Sequence, residues 1–391
     1  MKGRKLLMIP GPIEFEPEVL RAMSAVTTSH VAPNFINSFG NALDAMKKVW
    51  LAPTGQPFVV AGSGTLAMDM AVANLVEAGD NALVISTGYF GTRYKDILER
   101  YQLNVTILEA PIGEVPSLEA IENALKNKVY KVLTMTHVDT STGVLVRPKE
   151  IAALAKKYNT LSILDGVCSV AGEEIKQEAW GIDVVLTASQ KAVGVPPGLA
   201  LLVASEKAIQ TWEQRKTLVP NYYADWKNWL PIMKAYQERK PSYFGTPPVN
   251  LIMALETSLR IINEEGIAAR IKKHKQLAGA FREALAAIGL KILPIKKENA
   301  ANTLTAVYYP EGVEMASFLK HLSKLDVIVA GGLLPEIKTT YFRVGHMGAV
   351  TSSDMISTLS AIEFALVKSG FTFESGIGLS TFQKILNTSF E

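Results

Sequence analysis

Cysteine is almost absent from this sequence: the 391-residue chain contains one, Cys168. A single thiol excludes an intramolecular disulfide and any zinc or iron–sulfur site built on several thiolates. The five histidines show no metal-ligand spacing, so we expect no metal site. An excess of charge is also missing, since 40 basic and 37 acidic residues leave a net charge of +3. A dedicated nucleic-acid-binding protein would show a clustered basic face, so we expect no nucleic-acid partner.

Long apolar runs are missing as well. No stretch approaches the roughly 18 uninterrupted apolar residues of a membrane span, and the longest candidate, at 199–205, has the length of a strand. The basic start is followed by an apolar run of only Leu6 to Ile9. A secretory signal needs an apolar region of about 7–15 residues. We therefore expect no signal peptide, no membrane partner and a cytoplasmic location.

The first half of the chain alternates short apolar runs with amphipathic stretches of helical spacing. Continuous apolar strands that alternate with helices predict an α/β fold, whose sheet is mostly parallel and buried on both faces. The seven predicted strands are 58–61, 82–86, 105–108, 129–136, 161–165, 183–187 and 199–204. The helices predicted between them are 66–76, 92–101, 118–127 and 148–158.

The pattern changes after residue 207. A segment rich in aromatic residues, 222–244, precedes two long helical patterns at 249–263 and 266–288. A smaller α+β unit follows, with predicted strands at 304–308, 327–329 and 341–344 and predicted helices at 314–325 and 351–368. We predict an N-terminal segment (1–20), a large domain (21–265) and a small C-terminal domain (266–391). The tail 369–391 shows no informative pattern.

Ligands of open α/β sheets bind beyond the carboxyl ends of the strands, so the residues that follow each strand are informative. Gly62-Ser63-Gly64-Thr65 follows the first predicted strand and precedes a helix. Small residues there let backbone N–H groups surround an anion such as a phosphate. The stretch also fits a dinucleotide-binding fingerprint, but the next strand ends without the carboxylate that binds ribose. A phosphate site is therefore favoured over the dinucleotide site of an NAD-dependent dehydrogenase. A third interpretation of these residues is a tight turn that binds no ligand.

Three further strand ends carry polar residues. Asp165 ends an apolar strand, and a hydroxyl-rich loop occupies 136–143. Lys191 lies among small and apolar residues, which lowers the pKa of its amine and makes it a usable nucleophile. Most single lysines are solvated surface charges, yet a non-catalytic binding protein gives no reason for a lysine beside Gln190 in such a loop. An anion cradle, an acid, a desolvated amine and hydroxyl donors together suit pyridoxal 5′-phosphate (PLP).

The ordered set of motifs resembles the class V aminotransferases of PLP fold type I, and within them the alanine–glyoxylate and serine–pyruvate aminotransferase group. The similarity runs over nearly the whole chain in the right order. The residues that carry it are Pro10-Gly11-Pro12, Gly62-Ser63-Gly64-Thr65, Thr136-His137, Ser141-Thr142-Gly143-Val144, Leu164-Asp165, Ser189-Gln190-Lys191, Pro196-Pro197-Gly198, Tyr243-x-x-Thr246-x-Pro248, Gly331-Gly332-Leu333 and Arg343-x-Gly345-x-x-Gly348.

The resemblance implies a role for each matching residue. Lys191 would bind the cofactor covalently and act as the catalytic amine, and Asp165 would pair with the ring nitrogen. Thr140 would lie near the ring hydroxyl. Phe90 would stack on the ring, at a position where the group often has Trp. Arg343 would bind the α-carboxylate of the substrate through two parallel hydrogen bonds.

The resemblance also implies how the phosphate is held and how subunits associate. The phosphate ligands would be Ser63, Gly64, Thr65 and Gln190 from one chain, with Tyr243 and Thr246 from the other chain. This arrangement implies a homodimer with shared active sites. It also puts the segment 1–20 near the active site.

The implied activity is transfer of an amino group from a small amino acid, serine or alanine, to a small 2-oxo acid, pyruvate or glyoxylate. Another class V transaminase, acting on 2-aminoethylphosphonate or ureidoglycine, is the alternative. The chain shows no second arginine with a clear role at a dicarboxylate side chain, which favours small substrates. The cysteine desulfurases of the same fold class need a catalytic cysteine late in the chain, and this sequence has none.

Overall fold

The computed structural model describes residues 5–389 of the chain. The basic residues 1–4, which enter the signal-peptide argument, and the last two residues of the tail lie outside the described residues. The strands are β1 (Leu6–Leu7), β2 (Gln56–Ala61), β3 (Asn81–Ser86), β4 (Asn104–Glu109), β5 (Val132–Thr136), β6 (Val138–Asp139), β7 (Val144–Leu145), β8 (Leu161–Asp165), β9 (Val184–Ala188), β10 (Leu199–Ala204), β11 (Leu304–Tyr308), β12 (Val327–Ile328), β13 (Ala330–Gly331) and β14 (Tyr341–Gly345).

The α-helices are α1 (Pro17–Met23), α2 (Pro33–Val49), α3 (Gly64–Leu75), α4 (Tyr89–Arg100), α5 (Leu118–Asn127), α6 (Pro148–Lys157), α7 (Gln177–Trp180), α8 (Glu206–Glu213), α9 (Trp226–Gln237), α10 (Val249–Glu265), α11 (Ile267–Ile288), α12 (Met315–Lys324), α13 (Ser352–Lys368) and α14 (Ile377–Ser389). Two short 3₁₀ turns occupy Lys297–Asn299 and Pro335–Ile337. Among residues 5–389, no helix has the length and apolar character needed to cross a membrane.

A seven-stranded sheet with the order β2-β10-β9-β8-β5-β3-β4 forms the centre of the molecule. Strand β10 runs antiparallel to both of its neighbours, and the other pairs are parallel. The predicted α/β fold with a mostly parallel seven-stranded sheet is confirmed. The central strands β5, β8 and β9 are buried along their whole length, which explains their continuous apolar sequence.

A smaller unit is built from the C-terminal part of the chain and the first strand. Strand β14 pairs antiparallel with β11 and β13, and β1 pairs in parallel with β12. Its apolar core, which includes Met8, Phe281 and Phe342, is separate from the core around the large sheet. Helix α13 starts at a capping box formed by Thr351 and Asp354. The domain boundaries at 20 and 265 stay a prediction.

The structure differs from the sequence predictions at two elements. The strand predicted at 129–136 begins at Val132, because Val129 is 83% exposed and lies before the sheet. Helix α9 was not predicted, since Pro231 lies inside it. In the tail, where the sequence shows no informative pattern, α14 packs against α11 and Phe382 is fully buried. In the aromatic segment 222–244, Trp226 is buried and Tyr222 is exposed.

Candidate active site

Eight of the predicted site residues line one cavity at the carboxyl edge of the large sheet. The cavity has a volume of about 170 Å³. Its lining is Ser63, Gly64, Thr65, Met68, Phe90, Arg93, Val138, Thr140, Asp165, Val167, Gln190 and Lys191. Parallel strands place the loops that follow them at a common edge, which is why residues 128 positions apart in sequence meet here. Arg343 lies beside this cavity, and Tyr243 and Thr246 lie outside it.

Asp165 is the last residue of β8, in register with Thr136 at the end of β5. Its side chain is buried, and its Oδ1 accepts a hydrogen bond of 2.9 Å from the backbone N–H of Val167. Burial raises the pKa of Asp165 to about 7, and the nearby carboxylate of Asp139 acts in the same direction. A carboxyl group in this state is suited to a cationic partner, because a positive charge beside it would lower its pKa.

Lys191 lies in the loop between β9 and β10, and 9% of it is exposed. Its Nζ donates a hydrogen bond to the carbonyl oxygen of Pro10. A Cβ added to Gly11 would lie 2.6 Å from the Lys191 Cδ, so the N-terminal segment needs a glycine there to lie against the lysine. Burial lowers the pKa of Lys191, and the positive charge of Arg343 also lowers it, while Asp165 has the opposite effect. The amine is therefore more readily deprotonated than that of a surface lysine.

The turn between β2 and α3 carries the predicted anion cradle. Ser63 precedes α3 in an extended conformation, and its side chain does not cap the helix. The first N–H groups of α3 and the positive end of the helix dipole are thus available to an anion. Gly64 packs tightly, since a Cβ there would lie 2.9 Å from Val167 Cγ2 and 3.1 Å from Ala188 Cβ. The glycine brings the start of the helix close to the neighbouring strand ends.

Gln190 supplies an observation that points to a ligand. Its Oε1 is buried without a hydrogen-bond partner among the described residues. Exchange of the two terminal amide atoms would put the Nε2 donor at the same point, since the two are assigned by their partners rather than seen. A buried amide end without a partner is costly, and it lies on the cavity that also contains the cradle. The anion cradle at 63–65, the carboxyl group of Asp165, the amine of Lys191 and the unpaired amide of Gln190 together fit the chemical groups of PLP.

Arg343 approaches the cavity from the small sheet, where it is central in β14. Its Nε donates to the carbonyl oxygen of Gly331 at 2.9 Å, and its Nη1 donates to that of Thr140 at 3.0 Å. Partial burial lowers the pKa of the guanidinium, and nearby groups including Asp139 oppose this effect. The group remains a cation, because the pKa of arginine is far above neutrality.

Tyr243 and Thr246 are not brought to the cavity of their own chain. Tyr243 is 61% exposed and Thr246 is also exposed. The Tyr243 ring lies 5.2 Å from that of His30, and the two hydroxyl oxygens of Tyr243 and Thr246 are 3.5 Å apart. Both hydroxyls are thus presented at the surface.

Sequence reasoning missed three polar side chains of this region. Arg93 lines the cavity from α4, where an arginine resembles any charge on a helix surface. Asp139 is buried, and its Oδ2 accepts from the backbone N–H groups of Phe90 at 2.9 Å and Gly91 at 3.0 Å. It thereby fixes the start of α4 and the position of Phe90. Its place in the hydroxyl-rich loop 136–143 was the available signal.

The third is Arg270, which is buried on α11. Its Nε donates to the carbonyl oxygen of Ala171 and its Nη2 to that of Ala192, each at 3.0 Å, while Nη1 lies 2.6 Å from Glu265 Oε2. One guanidinium therefore connects the loop after Asp165 with the residue that follows Lys191. No local signal marks this role, because Arg270 begins the basic stretch 270–275, a composition typical of a solvated helix face, whereas Arg270 itself is buried.

Residues 5–389 contain no group of three or more side chains of the kinds that hold a metal ion. The mostly parallel seven-stranded sheet, with the cavity at its strand ends, has the fold of the PLP fold type I aminotransferases. The family model described as "Aminotransferase class-V" matches residues 17–341, and the chain belongs to this family. The predicted resemblance is thus confirmed, and membership removes the dehydrogenase alternative.

Individual relatives match over most of their length. The chain is 38% identical to an uncharacterized aminotransferase of Methanocaldococcus jannaschii, with 96% of both chains covered. It is 36% identical to alanine–glyoxylate aminotransferase 1 of Saccharomyces cerevisiae, covering 89% of this chain and 93% of that one. The crystal structure of an alanine–glyoxylate aminotransferase from Nostoc sp. superposes with a TM-score of 0.88 at 34% identity, covering 94% of this chain and 96% of that one.

Proposed function

We propose that this protein is a PLP-dependent aminotransferase that moves an amino group from alanine or serine to glyoxylate or pyruvate. One observation carries the proposal: the buried Lys191 and Asp165 share a cavity with the anion cradle at 63–65. The alanine–glyoxylate activity named for the yeast and Nostoc relatives supports the substrate class. When bound, PLP supplies an aldehyde that reacts with amines and a ring that withdraws electrons from the substrate Cα.

The side chains of the cavity would hold the cofactor by complementary chemistry. Ser63, the backbone N–H groups that open α3, and the orphaned amide of Gln190 would bind the phosphate. Phe90 would stack on the ring, held in place by the contact of its N–H with Asp139. Thr140 would lie at the ring hydroxyl.

Two buried titratable groups would handle protons. The lowered pKa of Lys191 would let the amine carry a proton between the substrate Cα and C4′ of the cofactor. Asp165 would hold the proton on the ring nitrogen, and the positive charge there would return its pKa from about 7 towards the ordinary range. The two residues thus have separate tasks, one at the substrate and one at the ring.

The substrate carboxylate would bind Arg343. The contacts to Gly331 and Thr140 use two of its five N–H donors, so three remain for a carboxylate. A substrate without a second carboxylate needs no further cation, in keeping with alanine, serine, pyruvate and glyoxylate.

The proposal extends to the assembly. In a homodimer, Tyr243 and Thr246 of each chain would reach the phosphate bound by the other chain. Their exposure, and their place outside the cavity of their own chain, support this arrangement. We further propose a cytoplasmic location and the domain division 1–20, 21–265 and 266–391.

Covalent labelling tests the function. The protein incubated with PLP should turn yellow, and borohydride reduction should fix the cofactor to the peptide that contains Lys191. Lys191→Ala should abolish both labelling and turnover, whereas Lys207→Ala, on the exposed surface of α8, should leave both unchanged. Amino donors are then compared with glyoxylate as acceptor: alanine, serine, aspartate and 2-aminoethylphosphonate. Labelling at another lysine, or transfer only from 2-aminoethylphosphonate, would contradict the proposal.

A further inference from the structure

Arg93 occupies the side of the cavity on which the anion cradle lies. Its Nη1 donates to the Oγ1 of Thr65 at 3.1 Å. The carbon of its guanidinium lies 4.8 Å from the centre of the Phe90 ring and 5.2 Å from that of Tyr89. The aromatic rings support the planar cation from one side by cation–π attraction. The guanidinium is therefore held at the start of α3 rather than extended into solvent.

Arg93 makes no ion pair at contact distance in the described part of the chain, although its side chain is half-buried. Burial raises the pKa of Asp165, and the positive charge of Arg93 across the cavity opposes this rise without direct contact between the two groups. Of its five N–H donors, the contact to the Thr65 hydroxyl uses one. The other two guanidinium groups of the region are committed differently: Arg270 pairs with Glu265, and Arg343 binds two carbonyl oxygens.

The cradle otherwise offers neutral donors. Backbone N–H groups, the Ser63 hydroxyl and the Gln190 amide carry no formal charge, while a phosphate monoester carries about −1.5 to −2 at neutral pH. Lys191 is not available to balance this charge, because its amine contacts Pro10 and is needed for chemistry. Moving a dianion out of water among neutral donors alone is costly, and a guanidinium offsets that cost with short, paired hydrogen bonds.

We propose that Arg93 is the charged ligand of the cofactor phosphate, with its guanidinium shared between the phosphate oxygens and the Thr65 hydroxyl. This inference rests on the proposed function, since it concerns the same cofactor. It assigns a cation to the phosphate subsite that the sequence motif of the cradle does not contain. Arg93 also lies next to Phe90, the residue proposed to stack on the ring.

The competing role is recognition of a second carboxylate on a dicarboxylic substrate. The geometry favours the phosphate, because Arg93 is bonded to the cradle, whereas the arginine proposed to bind substrate, Arg343, is bonded to Thr140 and Gly331. Arg93 and Arg343 thus lie on different sides of the cavity. A distal substrate group at Arg93 would have to share the cradle with the phosphate.

The test compares two forms of the cofactor that differ only in the phosphate. Cofactor-free protein is titrated with PLP and with pyridoxal, and the dissociation constants are measured from the change in absorbance. Arg93→Gln should raise the dissociation constant of PLP by about tenfold to a hundredfold, the range expected for loss of a charge-assisted contact, and change that of pyridoxal by less than twofold. Arg93→Lys, which keeps the charge without the paired geometry, should give an intermediate value.

Arg100→Gln is the matched control. It removes the same charge from the same helix two turns further on, at an exposed position. It should change neither dissociation constant by more than twofold. If Arg100→Gln raised the dissociation constant of PLP as much as Arg93→Gln does, the effect would come from the net charge of the protein and not from a contact with the phosphate. That result would overturn the inference.

The outcomes separate this inference from the proposed function. Wild-type protein that binds neither PLP nor pyridoxal would overturn both. Wild-type protein that binds PLP, with the same dissociation constant in Arg93→Gln, would overturn the phosphate role alone. Equal weakening of PLP and pyridoxal would also overturn it, since the damage would not be specific to the phosphate. A raised KM for aspartate but not for alanine, with unchanged PLP affinity, would assign Arg93 to a distal carboxylate instead.

Discussion

Arg343 in the small unit donates a hydrogen bond of 3.0 Å from Nη1 to the carbonyl oxygen of Thr140 in the large one. A second bond, from Nε to Gly331 at 2.9 Å, fixes the plane of the guanidinium. The cation is thus oriented before any substrate binds, and its orientation depends on the contact between the two units. A preoriented arginine loses little conformational freedom on binding a carboxylate, which is the advantage of a planar fork over a flexible amine.

Replacement of Arg343 should therefore weaken substrate binding more than cofactor binding. We expect Arg343→Gln to lower kcat/KM for the amino donor by about 100-fold or more, because a charged, two-bond contact with the carboxylate is lost. Arg343→Lys keeps the charge but not the fork, and we expect only partial recovery. Steady-state kinetics with alanine and glyoxylate give the result, with PLP affinity measured in parallel. Normal kcat/KM in Arg343→Gln would remove this residue from the substrate site.

Asp165 should be needed for turnover and not for assembly of the site. Asp165→Asn keeps the size of the side chain but cannot supply a negative charge to the ring nitrogen. We expect it to bind PLP and to lower kcat by about 100-fold or more, since the ring would accept electrons less readily. Thermal unfolding with and without PLP checks cofactor binding, and single-turnover kinetics check the chemical step. If kcat stays within about threefold of wild type, the proposed role of Asp165 is wrong.

His274 should make stability depend on pH. Its Nδ1 lies 2.7 Å from the carbonyl oxygen of Arg270 and donates to it, while its Nε2 accepts from the N–H of Gly348 at 3.0 Å, so the ring is neutral. Burial lowers its pKa to about 3, and the positive charge of Arg270 acts in the same direction. The unfolded chain takes up a proton near pH 6.5 and the folded chain does not. Stability contributed by this ring is therefore present above pH 6.5 and lost as the pH falls towards 3.

The measurement is the free energy of unfolding of wild type minus that of His274→Gln, at several pH values between 8 and 5. We expect this difference to be constant above pH 7 and to fall by about 1.4 kcal/mol per pH unit below 6. His274→Asn should give the same slope with a different offset, because the slope comes from the lost titration and not from side-chain size. A difference that stays flat down to pH 5 would mean that the folded ring titrates normally.

The strands and the cavity were predictable for the same physical reason. Strands β8 and β9 are buried along their whole length and therefore have an apolar sequence, against which Asp165 at the end of β8 and Lys191 after β9 stood out. Arg93 could not be found this way. Its partner, the Thr65 hydroxyl, lies 28 positions away in the sequence. The two residues meet because α3 and α4 lie close together, and a local sequence pattern does not predict that contact. Helix α9 was missed because Pro231 opposes a helix locally, whereas buried Trp226 stabilises it through tertiary packing.

An active site shared between two chains is a prediction that needs an experiment on the dimer. Two variants, each defective alone, are mixed under conditions in which subunits exchange: Lys191→Ala, and the double variant Tyr243→Phe with Thr246→Ala, which removes both exposed hydroxyls. The assay uses a PLP concentration at which neither variant turns over by itself.

In a hybrid dimer one site collects both defects and the other site collects none, if the hydroxyls act on the partner's phosphate. Random exchange makes half of the dimers hybrids, so activity should recover to about a quarter of wild type. If exchange is demonstrated by mass spectrometry of labelled subunits and no activity returns, Tyr243 and Thr246 do not serve the active site of the other chain.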